Sequence, residues 1–255
     1  MIRFMPLKLA TFLSILIAVS AQASAAEIKA FFPGAMRPAL AELIPQFEKT
    51  SGHNVVITYG PVGGILNRLK NGEAADLVVV SDELLVDLIR QGKIMTDGHA
   101  TVAMMGIGVF VRKGTVKPDI SSADAFKKAL LSATSIVYKD PALGDSSAIF
   151  ASGLIERLGI AAEMKPKTKV VAPIDNIDTV VKGDAEIGFD QMSNVVADPR
   201  VEPIGILPPG IQHYTNYAAG IVTDSKQQEA AVALIDFLRL RTSQAVMQQK
   251  GFEPL

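Results

Sequence analysis

Four short segments combine chain-turning residues with groups able to hold a small anion or to move a proton on it. Gly34, Ala35 and Met36 stand just before a helix whose pattern begins at Arg37, with Pro38 suited to the first turn. Free N–H groups and the positive end of a helix dipole make such a loop a site for a carboxylate or oxyanion. Arg37 can add a bidentate contact or stand solvated in the first turn. Gly60-Pro61-Val62-Gly63-Gly64 repeats the device, although turn formation is the commoner use of its glycines. Tyr138-Lys139-Asp140-Pro141 closes a strand, and Gly144-Asp145-Ser146-Ser147 opens the next helix, where Ser146 and Ser147 suit capping as well as ligand donation. In Asp190-Gln191-Met192-Ser193, Asp190 follows a strand and offers a carboxylate base or a helix cap, with Gln191 beside it. The polar cluster Gln212-His213-Tyr214-Thr215-Asn216-Tyr217 supplies either ordinary hinge hydrogen bonds or a group titrating near neutral pH. The groups considered for proton transfer are thus Asp190, His213, Lys139 and Tyr214.

Other chemistries lack their residues. The chain has no cysteine, which removes disulfides, thiolate metal sites, a cysteine nucleophile and a lipid-modified N-terminal cysteine. His53 and His99 lie in glycine-containing turns, no two histidines have helical metal-ligand spacing, and no H-E-x-x-H occurs, so no metal site is expected. Gly106-Ile107-Gly108 lacks a third glycine and a following helix, and no G-x-S-x-G elbow exists. No cofactor is expected.

The first 25 residues have the layout of a secretory signal. Arg3 and Lys8 are followed by an apolar run over 9–19 and a small-x-small site at Ala23-Ser24-Ala25, with cleavage expected near Ala25/Ala26. That run is shorter than the roughly 20 residues a membrane span needs, so no membrane anchor and a periplasmic location are expected. Losing Arg3 and Lys8 takes the formal charge from −1 to −3, a balance that argues against nucleic acid or an anionic membrane surface as partner.

These segments must be positioned by something larger, and the mature chain alternates strand-length apolar runs with helical patterns. Strands are expected over 28–32, 55–59, 77–80, 105–112, 135–138, 170–171, 186–189 and 217–222. Helices are expected over 37–50, 64–71, 83–91, 123–131, 147–158, 175–182, 193–197, 226–240 and 243–249, with Leu40, Leu43, Ile44 and Phe47 forming one face of the first. The pattern predicts an α/β protein of two lobes, each a sheet flanked by helices: 26–103 plus 207–255, and an inserted 104–206. Ligands in such sheets bind outside the carboxyl ends of the strands, so the turns from both lobes should face one cleft.

Phe32-Pro-Gly-Ala-Met-Arg-Pro-Ala-Leu, Phe47-Glu-Lys-Thr-Ser-Gly-His-Asn-Val, Gly60-Pro-Val-Gly-Gly-Ile-Leu and Gly72-Glu-Ala-Ala-Asp-Leu-Val-Val-Val-Ser resemble the molybdate-binding protein family of ABC importers. Asp140-Pro-Ala-Leu-Gly, Gly183-Asp-Ala-Glu-Ile-Gly-Phe and Gly251-Phe-Glu-Pro continue the match over nearly the whole mature chain. The resemblance implies the two-lobed periplasmic-binding-protein type II fold, a small anionic ligand, a monomer and, for an importer, an ABC permease as partner. The family's oxyanion site uses serine hydroxyls and N–H groups at the starts of the first two helices, whereas here Gly34-Ala35 and Pro61-Val62-Gly63 stand there. Each lost donor costs about 1–3 kcal/mol, which counts against molybdate. The chain looks more like the branch that includes aconitate isomerase, which implies a cofactor-independent proton shift on a small tricarboxylate. Delivery of an anion to a permease is the alternative.

Overall fold

The computed structural model describes residues 25–172 and 175–255, so the signal segment expected over 1–25 lies outside the described residues apart from Ala25. The chain opens with β1 (Glu27–Pro33), a 3-10 turn (Gly34–Met36), α1 (Arg37–Ser51), β2 (Asn54–Gly60), α2 (Val62–Lys70), β3 (Leu77–Ser81) and α3 (Asp82–Arg90). As the spacing predicts, α1 buries Leu40, Leu43, Ile44 and Phe47, and it ends on Gly52 in the left-handed conformation at φ 77°. The next strand, β4 (Ile94–Arg112), runs 19 residues, more than twice the stretch expected over 105–112. Its first half contains Asp97-Gly98-His99, where the chain stays extended while the ladder against β9 shifts register between Ile94 and His99.

The chain continues through α4 (Ala123–Ser132), β5 (Ile136–Lys139), α5 (Ser146–Arg157), α6 (Ala161–Met164), β6 (Thr168–Val171), α7 (Asn176–Val181), β7 (Ile187–Gln191) and α8 (Met192–Ala197). It closes with β8 (Val201–Ile206), β9 (Tyr214–Val222), α9 (Gln228–Arg239) and α10 (Arg241–Gln249). Strand β8 has no counterpart among the sequence expectations because Pro203 and Gly205 interrupt it. It pairs only with β4, across a register shift beside Val109 and Phe110, where proline is tolerated.

The strands run β2-β1-β3-β9-β4-β7-β5-β6, with β8 also on β4. Neighbours β1–β2, β1–β3, β5–β6 and β5–β7 are parallel, as strand–helix–strand crossovers require, whereas every pairing of β4 is antiparallel. Residues 94–106 of β4 pair with β9, and residues 107–112 pair with β7 and β8, so one strand is shared by both lobes. Alternation along it sends Ile107, Val109 and Val111 to the smaller core under α4 and α5 and Phe110 to the larger core.

Gly188 on β7 lies directly opposite Phe110 and under its ring, leaving no room for a β-carbon. Gly188→Ala is therefore expected to destabilise by about 1–3 kcal/mol. In a calorimetric melt this reads as a midpoint drop of roughly 2–4 °C per kcal/mol; an unchanged midpoint would show that the ring has space to move.

Candidate functional site

Strands β1, β2, β5 and β7 all end at one cavity of about 530 Å³. Its first wall carries Pro33 at the end of β1 with Gly34, Ala35, Arg37 and Pro38 after it, and Tyr59 and Gly60 at the end of β2 with Pro61 and Val62 after it. Facing these are Lys139 at the end of β5, Asp145 and Ser146 at the start of α5, Asn176 and Ile177 on α7, Asp190 and Gln191 on β7, and Asn194 on α8. Tyr217 reaches the cavity from β9.

Arg37 is exposed, with its guanidinium carbon 4.0 Å above the centre of the Tyr59 ring. Stacking of this kind orients the planar group while leaving its N–H fork free. No carboxylate of the described residues pairs with Arg37. Half-burial raises the Tyr59 phenol above its usual pKa, and the Arg37 charge acts against that rise.

The floor of the cavity holds a buried ion cluster. Lys139 Nζ lies 2.6 Å from Asp190 Oδ1 and 3.3 Å from Asp145 Oδ2, and the Lys139 and Asp190 side chains are 6% and 2% exposed. Besides the ammonium, Asp190 accepts from the Gln191 N–H at 2.7 Å, Asn194 Nδ2 at 3.0 Å and Asn176 Nδ2 at 3.0 Å. Burial presses the Lys139 pKa down, but the two carboxylates and their hydrogen bonds outweigh it, so the ammonium is held above the ordinary lysine value. For Asp145, burial pushes upward, and Lys139 with the donors Ser147 and Ala148 brings its carboxyl below the usual range.

Of the residues singled out in the sequence, Gly34, Ala35, Arg37, Pro61, Val62, Lys139, Ser146, Asp190 and Gln191 line this cavity. Five do not. His213 is exposed on the connection into β9 and stacks on Phe150 at 5.0 Å, and Tyr214 is exposed at the first residue of β9, so neither is placed to move a proton in the cleft. Ser147 turns away because both its backbone N–H and its hydroxyl donate to Asp145 Oδ1, at 3.0 and 2.6 Å. Asp145, rather than either serine, caps α5. Gly63 and Gly144 meet instead across the rim, where the Gly63 N–H points to the Gly144 carbonyl at 3.4 Å.

Tyr59, Asn176, Asn194 and Tyr217 are cavity residues that the sequence reading did not select. Tyr59 stands next to the end of β2 and Asn176 opens α7, which was the available signal, whereas Asn194 and Tyr217 lie inside α8 and β9. Asparagine at a helix start reads equally as a cap, and a tyrosine in an apolar run reads as core. Among the described residues, no group of three or more His, Cys, Asp or Glu side chains is placed to hold a metal ion. None of the described helices is long and apolar enough to cross a membrane.

Strand order, shared strand and cleft together define the two-lobed type II fold of periplasmic solute-binding proteins. The chain belongs to the bacterial extracellular solute-binding protein family, whose profile matches residues 28–253. It is 31% identical over 229 residues to an aconitate isomerase of Pseudomonas sp., covering 87% of this chain and 86% of that one. Identity to the molybdate-binding protein ModA of Azotobacter vinelandii is 26% over 234 residues, with 90% and 91% covered. Among solved structures, the periplasmic molybdate-binding protein of Azotobacter vinelandii superposes with a TM-score of 0.74 at 17% identity, over 89% of this chain and 99% of that one.

Proposed function

We propose that this protein acts in the periplasm, after loss of the segment 1–25, on a small polycarboxylate held between its lobes, and that it interconverts the cis and trans forms of an aconitate-like tricarboxylate. The observation that carries the reading is a 530 Å³ cavity whose first wall lacks serine hydroxyls and carries Arg37, which pairs with no carboxylate of the described residues, above the Lys139–Asp190 pair on the floor. That volume falls within the roughly 300–1,000 Å³ of organic-ligand pockets. An unpaired guanidinium beside free helix N–H groups, with an acid–base pair across the cavity, suits an organic acid with several carboxylates better than one compact oxyanion. The lobes, 26–103 plus 207–255 and 104–206, close on it about the two crossings near Met104 and Leu207.

In the reaction, Arg37 and the free N–H groups before α1 hold carboxylates, while the Lys139–Asp190 pair serves as acid and base. The Asp190 carboxylate takes the allylic proton, the Lys139 ammonium returns one at the far carbon, and one proton passing from Asp190 to Lys139 restores both charges. No group beyond the chain is required for that balance. The carboxylate adjoining the allylic carbon spreads the developing charge toward the fixed donors.

The test is to mix mature protein with cis-aconitate and follow the trans isomer, alongside a thermal-shift panel of citrate, molybdate, tungstate and sulfate. Stabilisation by molybdate without turnover would sink the isomerase and favour the second reading, delivery of an anion by a monomer to the membrane permease of an importer. Membership in a solute-binding family supports that second reading. Under either, Arg37→Ala should weaken tricarboxylate binding by roughly tenfold to a hundredfold, the range of a lost charge-assisted hydrogen bond. Because Arg37 is exposed, the ligand-free melting midpoint should stay where it was, and titration calorimetry with citrate reads the difference.

A further inference from the structure

Ser193, the second residue of α8, is fully buried, and its hydroxyl donates to the Ala35 carbonyl at 2.6 Å. The bond joins segments 158 positions apart: the turn after β1, whose Gly34 and Ala35 line the cavity, and α8, which begins two residues beyond Asp190.

The backbone of the turn leaves that carbonyl over. Met36 is the N-cap of α1, so the first carbonyl the helix takes is that of Met36, one residue later. A tighter bond from three residues on is impossible, because Pro38 has no N–H. The Arg37 N–H goes to the Gly34 carbonyl instead. Ser193 thus supplies, from the far side of the cavity, the hydrogen bond that the local chain cannot.

The donor stands on a fixed base. A β-carbon on Gly108 would stand 3.1 Å from the Met192 sulfur, and one on Gly251 would stand 3.2 Å from the Met192 carbonyl oxygen. Strand β4 and the C-terminal segment therefore hold the start of α8 between them, and the residue carrying the hydroxyl has little freedom to shift.

The geometry points to Ser193 as a positioning residue that keeps the turn bearing Gly34, Ala35 and Arg37 in register with the opposite wall, where Asp190, Gln191 and Asn194 come from one short segment. This rests on the reading of the cavity as an anion site. Without the hydroxyl the turn is no longer tied to α8. The Ala35 oxygen, the negative end of a peptide dipole, is also left beside the cavity with no hydrogen to offset it. Both changes weaken the hold on an anion.

The experiment is titration calorimetry of citrate and cis-aconitate into the mature wild-type protein, Ser193→Ala, Ser193→Cys and Leu234→Ala, with ligand-free melts alongside and all titrations run where every variant is folded. Leu234 is fully buried on α9, which lines no part of the cavity, so its loss lowers stability without touching the site. Ser193→Ala should bind roughly fivefold to fiftyfold more weakly than wild type. Ser193→Cys, whose thiol is a weak donor, should fall between the two, and Leu234→Ala should bind as wild type does. Wild-type affinity in Ser193→Ala, or an equal loss in Leu234→Ala, overturns the positioning role while leaving the cavity reading intact. Wild-type protein that binds neither acid overturns the cavity reading and the positioning role together. Should Ser193→Ala fail to fold, Ser193→Cys carries the test, with roughly threefold to tenfold weaker binding expected and an affinity equal to wild type overturning the proposal.

Discussion

Replacing Lys139 by methionine is expected to lower the thermal midpoint at pH 7 by roughly 6–20 °C, the largest effect of any single substitution considered. The ammonium is the only cation paired with Asp190 and Asp145 among the described residues, and Lys139 and Asp190 are nearly buried. Removing one partner of a buried pair leaves uncompensated charge and costs about 3–5 kcal/mol. For a chain of this size each kcal/mol is worth roughly 2–4 °C. The pH dependence separates this cause from lost packing. In the wild type the raised Lys139 pKa contributes stability that is complete below the ordinary lysine value of 10.5 and is lost as pH rises through the higher folded value. The lowered Asp145 pKa contributes stability that is complete above 3.8 and is lost as pH falls through the lower folded value. The wild type should therefore be flat with respect to this cluster between about pH 4 and pH 10. In the variant, Asp145 keeps the burial that raises it and loses the cation that lowered it, so protonation becomes favourable and stability is regained toward acid. Melts from pH 4 to pH 9 should show the gap narrowing as pH falls; a gap of equal size throughout would mean that methionine simply packs badly.

Gly63→Val is expected to weaken ligand binding by roughly 5- to 150-fold without lowering the ligand-free midpoint. A β-carbon at Gly63 would stand 3.1 Å from Gly144 Cα and 3.4 Å from the Leu143 carbonyl oxygen, both backbone atoms of the facing lobe. Gly144 cannot yield by changing residue type, since its φ of 76° favours glycine and its own β-carbon would meet Gly63 Cα at 2.9 Å. An extra side chain here opposes closure by about 1–3 kcal/mol and leaves the open protein untouched. Apparent affinity then falls by the fraction of molecules still able to close. Equal citrate affinities for variant and wild type would show that the rim contact has no part in binding.

The parts of this molecule legible in the sequence were those with local causes. The buried face of α1 and the apolar runs of β1, β3 and β7 follow from local patterning alone. Turns after β1, β2, β5 and β7 were read as facing one cleft because ligands sit at the carboxyl ends of such strands, and residues from all of them line the cavity. What escaped depends on pairing between distant segments. The first half of β4 is a strand because β9, more than a hundred residues later, pairs with Ile94 and again from His99 onward, on either side of a register shift. His213 and Tyr214 carried chemistry by type, yet their place just ahead of the cleft-facing stretch of β9 leaves them outside. Tyr217, three residues on, carried no such signal and lies inside. Lys139 and Asp190 were each visible as a reactive residue, but their mutual neutralisation is a fact of two adjacent strands.

The strand common to both sheets also constrains how this protein can be dissected. A cut anywhere in β4 leaves each fragment with a ladder of unpaired amides and carbonyls, an edge prone to join with other copies. A single cut there therefore yields no autonomous piece, whereas an exchange that begins between residues 106 and 107 and ends after β8 leaves the strand partners of each half together.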